Sequence, residues 1–258
     1  MQADRIAAAF RDHGKRAALM PYLMAGFPDV DASRAIGAAY ADAGADLVEV
    51  GVPFSDPLAD GPVIHAAGTV ALSAGATTDD ALAVAEAVGE RLPAVLMCYS
   101  NLVLRRGAVE FARRLADGGI SGLIVPDLPL EEAPALLQSC DDAGVALVPL
   151  VAPTTPDTRL AAIGRTARGF VYTVSVTGTT GERAELDPAA LLARVRAHAT
   201  VPVALGFGIA TPQQAAAAAA AGADGVIVGS RLVRAAAEGE DIRALVAELA
   251  AALAADPV

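Results

Sequence analysis

The chain has 258 residues, of which 54% are hydrophobic and 19% charged, and its 19 Lys and Arg against 30 Asp and Glu give a net charge of −11. This composition is too apolar for a disordered chain, and the length suits one large α/β domain. An acidic chain without tryptophan does not resemble a general nucleic-acid binder, although a local site for one small anion remains possible.

The sequence lacks the marks of a secreted, metal-binding or membrane protein. Cys98 and Cys140 stand in apolar or helical surroundings, which is typical of reduced thiols in a cytosolic protein. No group of cysteines and histidines has the spacing of a zinc site, so we expect no metal. The N-terminal segment lacks the apolar core of a signal peptide, and no long uncharged apolar run predicts a membrane span. We therefore expect a cytoplasmic protein that contacts neither nucleic acid nor membrane.

Short apolar runs alternate with alanine-rich helical stretches along the chain. A helix predicted over about 3–13 precedes the first run, and helix is again predicted over 232–255. Uninterrupted apolar runs indicate strands buried on both faces, as in a parallel sheet. The eight runs cover 18–26, 46–52, 94–100, 122–127, 145–151, 169–175, 201–208 and 224–230. They predict an α/β fold, a single (β/α)8 TIM barrel over 1–258, with an extra N-terminal helix and extra short helices in the active-face loops.

A doubly wound open sheet is the alternative fold, but no GxGxxG follows the first strand, which weakens its dinucleotide-binding version. Glycines also stand before several predicted strands, in the segments 41–46, 116–121, 141–146 and 220–225. A glycine there suits a left-handed cap at the end of a helix. This weak repeat favours one continuous barrel, whose chemistry is expected at the carboxyl ends of the strands.

The repeat singles out Glu49. The segments GADLVEVG (44–51) and GADGVIVG (222–229) align without gaps, so that Glu49 stands where the second copy has Ile227. Burying an unpaired carboxylate is costly and usually raises its pKa, which suits a general acid or base near neutral pH. The alternative is a glutamate paired with an arginine or lysine inside the barrel.

The loop after the same strand carries further carboxylates. Three prolines stiffen the segment 52–62, which contains Asp56 and Asp60. A rigid loop at the active face can place a second carboxylate opposite Glu49, although loop aspartates more often form turns. His65 follows on a predicted short helix and has no partner in the pattern, which favours a structural or exposed role.

Glycine-bearing strand ends late in the chain predict a phosphate site. They lie in the segments 177–185, 206–214 and 228–233. Gly208 and Gly229 allow close backbone approach to a ligand, and Ser230 is expected to cap a short extra helix whose amides face an anion. The loops after strands 7 and 8 are the recurrent phosphate site of barrels. The Gly/Thr-rich loop over 177–187 is a candidate lid.

Several motifs resemble the tryptophan synthase alpha subunit family. They are PYLMAGFPD (21–29), LVEVGVPFSDPLADGPVI (47–64), YSN (99–101), PDLPLEE (126–132), TGTTG (177–181), GFGI (206–209) and VGS (228–230). The resemblance implies a lyase that cleaves indole-3-glycerol phosphate to indole and glyceraldehyde 3-phosphate. It also implies an α2β2 assembly with a beta subunit that carries pyridoxal phosphate, and no cofactor in this chain.

The resemblance also implies roles for individual positions. The catalytic pair matches Glu49 and Asp60. The substrate-binding positions match Tyr22, Tyr172, Gly181, Gly208, Gly229 and Ser230. The partner-interface positions match Pro53, Asp56, Pro57, Asn101 and Pro129. The strand-6 loop reads TGTTG where the family often has GVTG, which affects loop closure rather than the reaction.

Other functions remain open from the residues themselves. A stand-alone indole-releasing lyase would use the same residues without a partner. A different barrel enzyme for phosphorylated sugars would keep the phosphate site but would not require the pair of Glu49 and Asp60. A non-catalytic, anion-binding allosteric subunit would bind the ligand without cleaving it.

Overall fold

The structure, a computed structural model, describes residues 2–174, 187–206 and 208–255. Within these ranges nine parallel strands form one sheet. They are β1 (Ala18–Met24), β2 (Val48–Gly51), β3 (Ala94–Met97), β4 (Gly122–Ile124), β5 (Ala146–Val148), β6 (Leu150–Val151), β7 (Val171–Val174), β8 (Val203–Gly206) and β9 (Gly225–Val228). Each lies within one of the eight predicted apolar runs, and most are a few residues shorter.

The sheet closes into a barrel through the fifth predicted run. The strand order is β5-β4-β3-β2-β1-β9-β8-β7-β6, so that β5 and β6 lie at its two ends. Only Pro149 separates these two strands, and its missing N–H interrupts the ladder at this point. Because β5 pairs with β4 and β6 with β7, the single run 145–151 joins both ends of the ring. The prediction of a barrel is confirmed, with its fifth strand divided in two.

Helices surround this ring. Those described are α1 (Gln2–Asp12), α2 (Val30–Asp42), α3 (Pro62–Ser73), α4 (Thr78–Gly89), α5 (Ser100–Arg106), α6 (Ala108–Asp117), α7 (Pro134–Ala143), α8 (Asp157–Thr166), α9 (Pro188–Arg196), α10 (Pro212–Ala220), α11 (Ser230–Glu238) and α12 (Ile242–Ala252). The extra helices are α1 before the barrel and α3, α5 and α11 in loops after strands, as predicted. The helix expected over 232–255 is two helices, because Gly239 takes the left-handed conformation with φ +69° and ends α11. No helix in the described ranges is long and apolar enough to cross a membrane.

Side chains alternate between two apolar clusters along each strand. On β1, Leu19 and Leu23 pack outward against the helices, whereas Ala18 and Met20 point into the barrel. Phe10 and another α1 residue, Ile6, join the interior cluster and close the amino-terminal end of the barrel. This packing leaves the carboxyl ends of the strands as the open face.

The repeated Gly-Ala-Asp segments form the same contacts at the amino-terminal face. Asp46 accepts a hydrogen bond from the backbone N–H of Leu19, and Lys15 binds both the Asp46 carboxylate and the carbonyl of Gly44. In the second copy, Asp224 accepts from Val203, and Arg196 binds Asp224 and the carbonyl of Gly222. Each aspartate thereby ties the start of its own strand to the neighbouring strand. The glycines before strands at 44, 119, 144 and 222 all have positive φ, as predicted.

Candidate active site

Glu49 lies in the interior of the barrel. It is in the middle of β2, with Tyr22 of β1 and Val95 of β3 as its register neighbours. The side chain is 1% exposed, and neither carboxyl oxygen has a hydrogen-bond partner among the described residues. Ile227, its counterpart in the repeat, packs in the interior apolar cluster. The described residues therefore do not form the alternative arrangement, in which Glu49 would be paired with an arginine or lysine.

The surroundings of Glu49 favour its protonated form. Burial in the apolar interior raises the pKa of Glu49 from its ordinary 4.5 to about 8, and the negative charge of Asp60 adds to the rise. A carboxyl group with this pKa holds its proton at neutral pH and releases it readily. That is the property required of a group that both donates and accepts a proton.

Asp60 faces the same interior from the loop after β2. It is partly buried, and one of its carboxylate oxygens accepts a hydrogen bond of 2.9 Å from the hydroxyl of Tyr99. Burial raises the pKa of Asp60, while the Tyr99 hydrogen bond and the nearby His65 lower it. The structure thus brings the two predicted carboxylates within electrostatic range but gives them different surroundings: Glu49 is buried without a hydrogen-bond partner among the described residues, whereas Asp60 accepts a hydrogen bond.

Two tyrosines line the interior near Glu49, each lying over a glycine. A Cβ atom on Gly51 would lie 1.9 Å from the Tyr22 hydroxyl oxygen, and one on Gly206 would lie 2.6 Å from the Tyr172 ring. Burial is the main cause of the raised pKa of both tyrosines, and the charge of Glu49 contributes to each. The missing side chains therefore allow Tyr22 and Tyr172 to lie beside the carboxyl group. Nothing in the sequence pattern marked Gly51 or Gly206 for this purpose.

A third apolar cluster lies beside Glu49, toward the carboxyl end of β1. Tyr22 and Met24 from β1 pack there with Ala67 of α3 and Val233 of α11. Further apolar side chains pack against this cluster: Phe27 after β1, Val63 and Ile64 of α3, and Met97 of β3. The site thus combines apolar side chains with two carboxyl groups.

The predicted phosphate residues lie after the last two strands. Gly208 is exposed and has a φ of +79°, a conformation that a side chain would strain. Gly229 is the N-cap of α11, and Ser230 is the first residue of that helix, so the expected capping role of Ser230 is wrong. Ser230 is nevertheless exposed at the amino-terminal end of α11, a position that still suits an anion. Gly181 and the candidate lid up to residue 186 lie outside the described residues.

Four of the five predicted interface residues are at the surface. Asp56, Asn101 and Pro129 are exposed and Pro57 is partly exposed, whereas Pro53 is buried within the chain and offers little surface to a partner. Large exposed apolar side chains stand beside them: Leu58 is 78% exposed and Leu104, on α5, is 67% exposed. An apolar, exposed surface of this kind is typical of a protein interface.

Sequence reasoning missed the connection between these loops. The hydroxyl of Tyr99 bonds Asp60 and the backbone N–H of Ala59, and the next residue, Ser100, donates two hydrogen bonds to the carboxylate of Asp127. The loops after β2, β3 and β4 are thereby linked. The YSN motif at 99–101 was the available signal, but a tyrosine at a strand end does not by itself reveal a partner far away in sequence.

These features define a class of protein, an α/β barrel with two carboxyl groups gathered toward the carboxyl ends of its strands, an arrangement typical of barrel enzymes. Among the described residues, no group of three or more His, Cys, Asp or Glu side chains could hold a metal ion.

Comparisons with known proteins identify the family. The family model described as tryptophan synthase alpha chain matches residues 9–255. The tryptophan synthase alpha chain of Synechococcus elongatus is 46% identical over 97% of this chain and 96% of its own length. That of Methanosarcina acetivorans is 47% identical over 91% of this chain and 88% of its own length. The chain belongs to the tryptophan synthase alpha chain family.

Solved structures agree with this assignment. A chain of Mycobacterium tuberculosis tryptophan synthase is 44% identical, with a TM-score of 0.90 over 98% of this chain and 99% of that one. A chain from a study of mutual activation in the tryptophan synthase α2β2 complex of Pyrococcus furiosus is 36% identical, with a TM-score of 0.83 over 91% of this chain and 98% of that one. The similarity covers the whole barrel, including the loops that carry the candidate site.

Proposed function

We propose that the protein cleaves indole-3-glycerol phosphate to indole and glyceraldehyde 3-phosphate and passes the indole to a tryptophan synthase beta subunit. The observation that carries this proposal is Glu49, a buried carboxyl group with no hydrogen-bond partner among the described residues and a pKa of about 8. The substrate is inferred from the family, and the chemistry is inferred from the residues of the site. The reaction is an aldol-type cleavage of a carbon–carbon bond, so the chain acts as a lyase.

Glu49 supplies both proton transfers. As the protonated acid present at neutral pH, it gives its proton to C3 of the indole ring, which produces an indoleninium cation. The resulting Glu49 carboxylate then removes the proton from the hydroxyl on the adjacent chain carbon. As that oxygen becomes the aldehyde carbonyl, the electrons of the carbon–carbon bond return to the ring and neutralise its nitrogen. Glu49 regains its proton, and indole and glyceraldehyde 3-phosphate are released.

Asp60 stabilises the charge that appears between these two steps. In the ionised form it accepts a hydrogen bond from the indole N–H, whose nitrogen becomes positive when C3 is protonated. The Tyr99 hydrogen bond favours this ionised form and opposes the effect of burial. Asp60 therefore acts mainly on the transition state, while Glu49 is consumed and restored in each cycle.

The two ends of the substrate have matching surroundings. The apolar cluster that contains Tyr22, Met24 and Val233 suits the indole ring, with Tyr172 on the neighbouring side of the barrel. Gly208, Gly229 and Ser230 lie after the last strands, where the amino-terminal end of α11 suits the phosphate. Binding energy from the phosphate orients the reacting carbon without itself taking part in bond breaking.

No metal or organic cofactor is needed by this mechanism, since the product is a carbonyl compound and the indole ring accepts the electrons. Pyridoxal phosphate is expected in the beta subunit, where indole is joined to serine. Asp56, Pro57, Asn101 and Pro129, with the exposed Leu58 and Leu104 beside them, are the surface proposed to contact that subunit. Direct transfer suits a product that is small and apolar.

The deciding experiment measures indole release from indole-3-glycerol phosphate by the purified chain, alone and with a cognate beta subunit, in parallel with size-exclusion chromatography. We expect a monomer with low activity that forms an α2β2 assembly and becomes markedly faster. A chain that ignores the beta subunit and is already fast would be a stand-alone lyase. A chain that binds the beta subunit and never cleaves the substrate would be an allosteric subunit.

A further inference from the structure

Tyr99 makes three contacts with the loop that carries Asp60. Its side chain is buried, and its hydroxyl donates a 2.9 Å hydrogen bond to the Asp60 carboxylate and accepts a 3.0 Å bond from the backbone N–H of Ala59. Its ring stacks on Phe54 at a centroid distance of 5.0 Å and an angle of 21°. All three contacts are to residues of the single segment 52–62.

We propose that Tyr99 is a positioning residue that holds the Asp60 carboxylate in its working orientation through the tyrosine hydroxyl. The proposal rests on the proposed function, because it assigns Asp60 a role toward the indole nitrogen. The prolines of the loop restrict its backbone but leave the carboxylate free to rotate about its own side-chain bonds. Tyr99 donates the side-chain hydrogen bond described for that carboxylate, and the Ala59 bond fixes the hydroxyl relative to the loop.

Tyr99 is itself held firmly on its other side. It is the N-cap residue of α5, and Ser100 donates bonds of 2.8 and 2.7 Å to the two carboxylate oxygens of Asp127 after β4. The orientation of Asp60 is therefore fixed relative to the ends of β3 and β4 as well as to the end of β2. An aspartate held only by the backbone of its own loop would lack these contacts to neighbouring strands.

The same bond acts on the charge of Asp60. The titratable groups around Asp60 are Glu49 on β2, Tyr22 on β1, Tyr99 after β3 and His65 on α3. Donation by the Tyr99 hydroxyl favours the carboxylate and lowers the pKa of Asp60, whereas burial raises it. Removing the hydroxyl therefore raises the pKa of Asp60 and reduces the ionised fraction at mildly acidic pH.

The test compares Tyr99→Phe with the wild-type chain in the complex with the beta subunit. This substitution keeps the ring and its stacking, so we expect kcat for indole release to fall about 10-fold or more while KM changes little. We also expect the acidic limb of the kcat–pH profile to move to higher pH. A merely structural tyrosine would not move that limb.

Two matched variants separate the hydroxyl from packing. Tyr40→Phe removes another buried tyrosine hydroxyl, one that donates 2.9 Å to the backbone carbonyl of Tyr22, and should lower the melting temperature without moving the acidic limb. Phe54→Leu removes the stacking partner but keeps the Tyr99 hydroxyl and should also leave the limb in place. If either variant reproduces the profile of Tyr99→Phe, the positioning role is wrong.

A double-substitution cycle gives the second test. With Asp60→Asn already present, Tyr99→Phe should cause little further loss of kcat, because Tyr99 acts through Asp60. Fully additive losses would overturn the proposal. If the wild-type chain does not cleave the substrate, the proposed function fails instead. The positioning role is then still decided by NMR titration of the Asp60 carboxyl carbon, whose pKa should rise in Tyr99→Phe and stay unchanged if the proposal is wrong.

Discussion

Replacing Glu49 with glutamine should make the chain more stable and less active. The amide has nearly the shape of the protonated acid and would occupy the same buried position, but it cannot ionise. In the unfolded chain, a glutamate titrates at about 4.5, and in the folded chain Glu49 titrates at about 8. Between these values the unfolded chain has lost a proton that the folded chain keeps, so the stability contributed by this group falls as pH rises.

The size of the effect follows from the two pKa values. Each pH unit between 4.5 and 8 costs the wild type about 1.4 kcal/mol of folding free energy. The free energy of unfolding of the wild type should therefore equal that of Glu49→Gln below pH 4.5. It should be lower by about 3 kcal/mol at pH 7 and by about 5 kcal/mol above pH 8. At pH 7 the variant should nevertheless lose roughly 10²–10⁴-fold in indole release, because it has no proton to exchange.

Urea unfolding of the isolated chain at a series of pH values measures the first effect, and the indole assay measures the second. Glu248→Gln, at an exposed glutamate of α12, is the matched control and should show no such pH-dependent gain. A Glu49→Gln variant whose stability tracks that of the wild type from pH 5 to pH 9 would refute the raised pKa. Near-normal turnover would refute the catalytic role.

Three further predictions follow from the site. Asp60→Asn should reduce kcat much more than substrate affinity, and equal losses in both would contradict the charge-stabilising role. Because it removes a negative charge, the same variant should also lower the pKa of Glu49. Gly208→Val should raise KM for the phosphorylated substrate. Gly14→Val controls for backbone strain and should leave KM unchanged, because Gly14 has a similar positive φ and a Cβ atom there would have no neighbour within 4 Å. Leu104→Asp should weaken assembly with the beta subunit in size-exclusion chromatography, and Val70→Asp on α3 should not; equal behaviour would place Leu104 outside the interface.

The sequence predicted the barrel well because its strands are buried on both faces and its helix ends carry glycines. It could not show that Pro149 divides the fifth strand, since a proline within an apolar run is compatible with a bend, a bulge or an end. Likewise, Gly239 within a long helical pattern was compatible with continued helix. Both differences depend on backbone conformation that side-chain periodicity does not encode.

The candidate site was predicted unevenly for a related reason. Glu49 was visible because the repeated segment offered Ile227 as a reference for what the position normally holds. Tyr99 and Gly51 had no such reference, and their roles arise from contacts with Asp60 and Tyr22 that only the folded chain brings about. Residues that depart from a local pattern can be found from sequence, whereas residues that act through a distant partner cannot.

The two repeated segments also explain how a barrel can tolerate Glu49. Both copies keep the aspartate that ties neighbouring strands together at the amino-terminal face, with Lys15 bound to Asp46 in one and Arg196 bound to Asp224 in the other. Three residues after the aspartate, one strand carries the apolar Ile227 and the other carries Glu49, an acid without a hydrogen-bond partner among the described residues. The Lys15 pair is well buried, with side chains only 16% and 11% exposed, so its bonds are sheltered from competing water. Strand registration is thus fixed at the end of the barrel away from the site. The buried Glu49 therefore lies on the other side of β2 from the contacts that fix its register, and its raised pKa suits the proton transfers proposed for it.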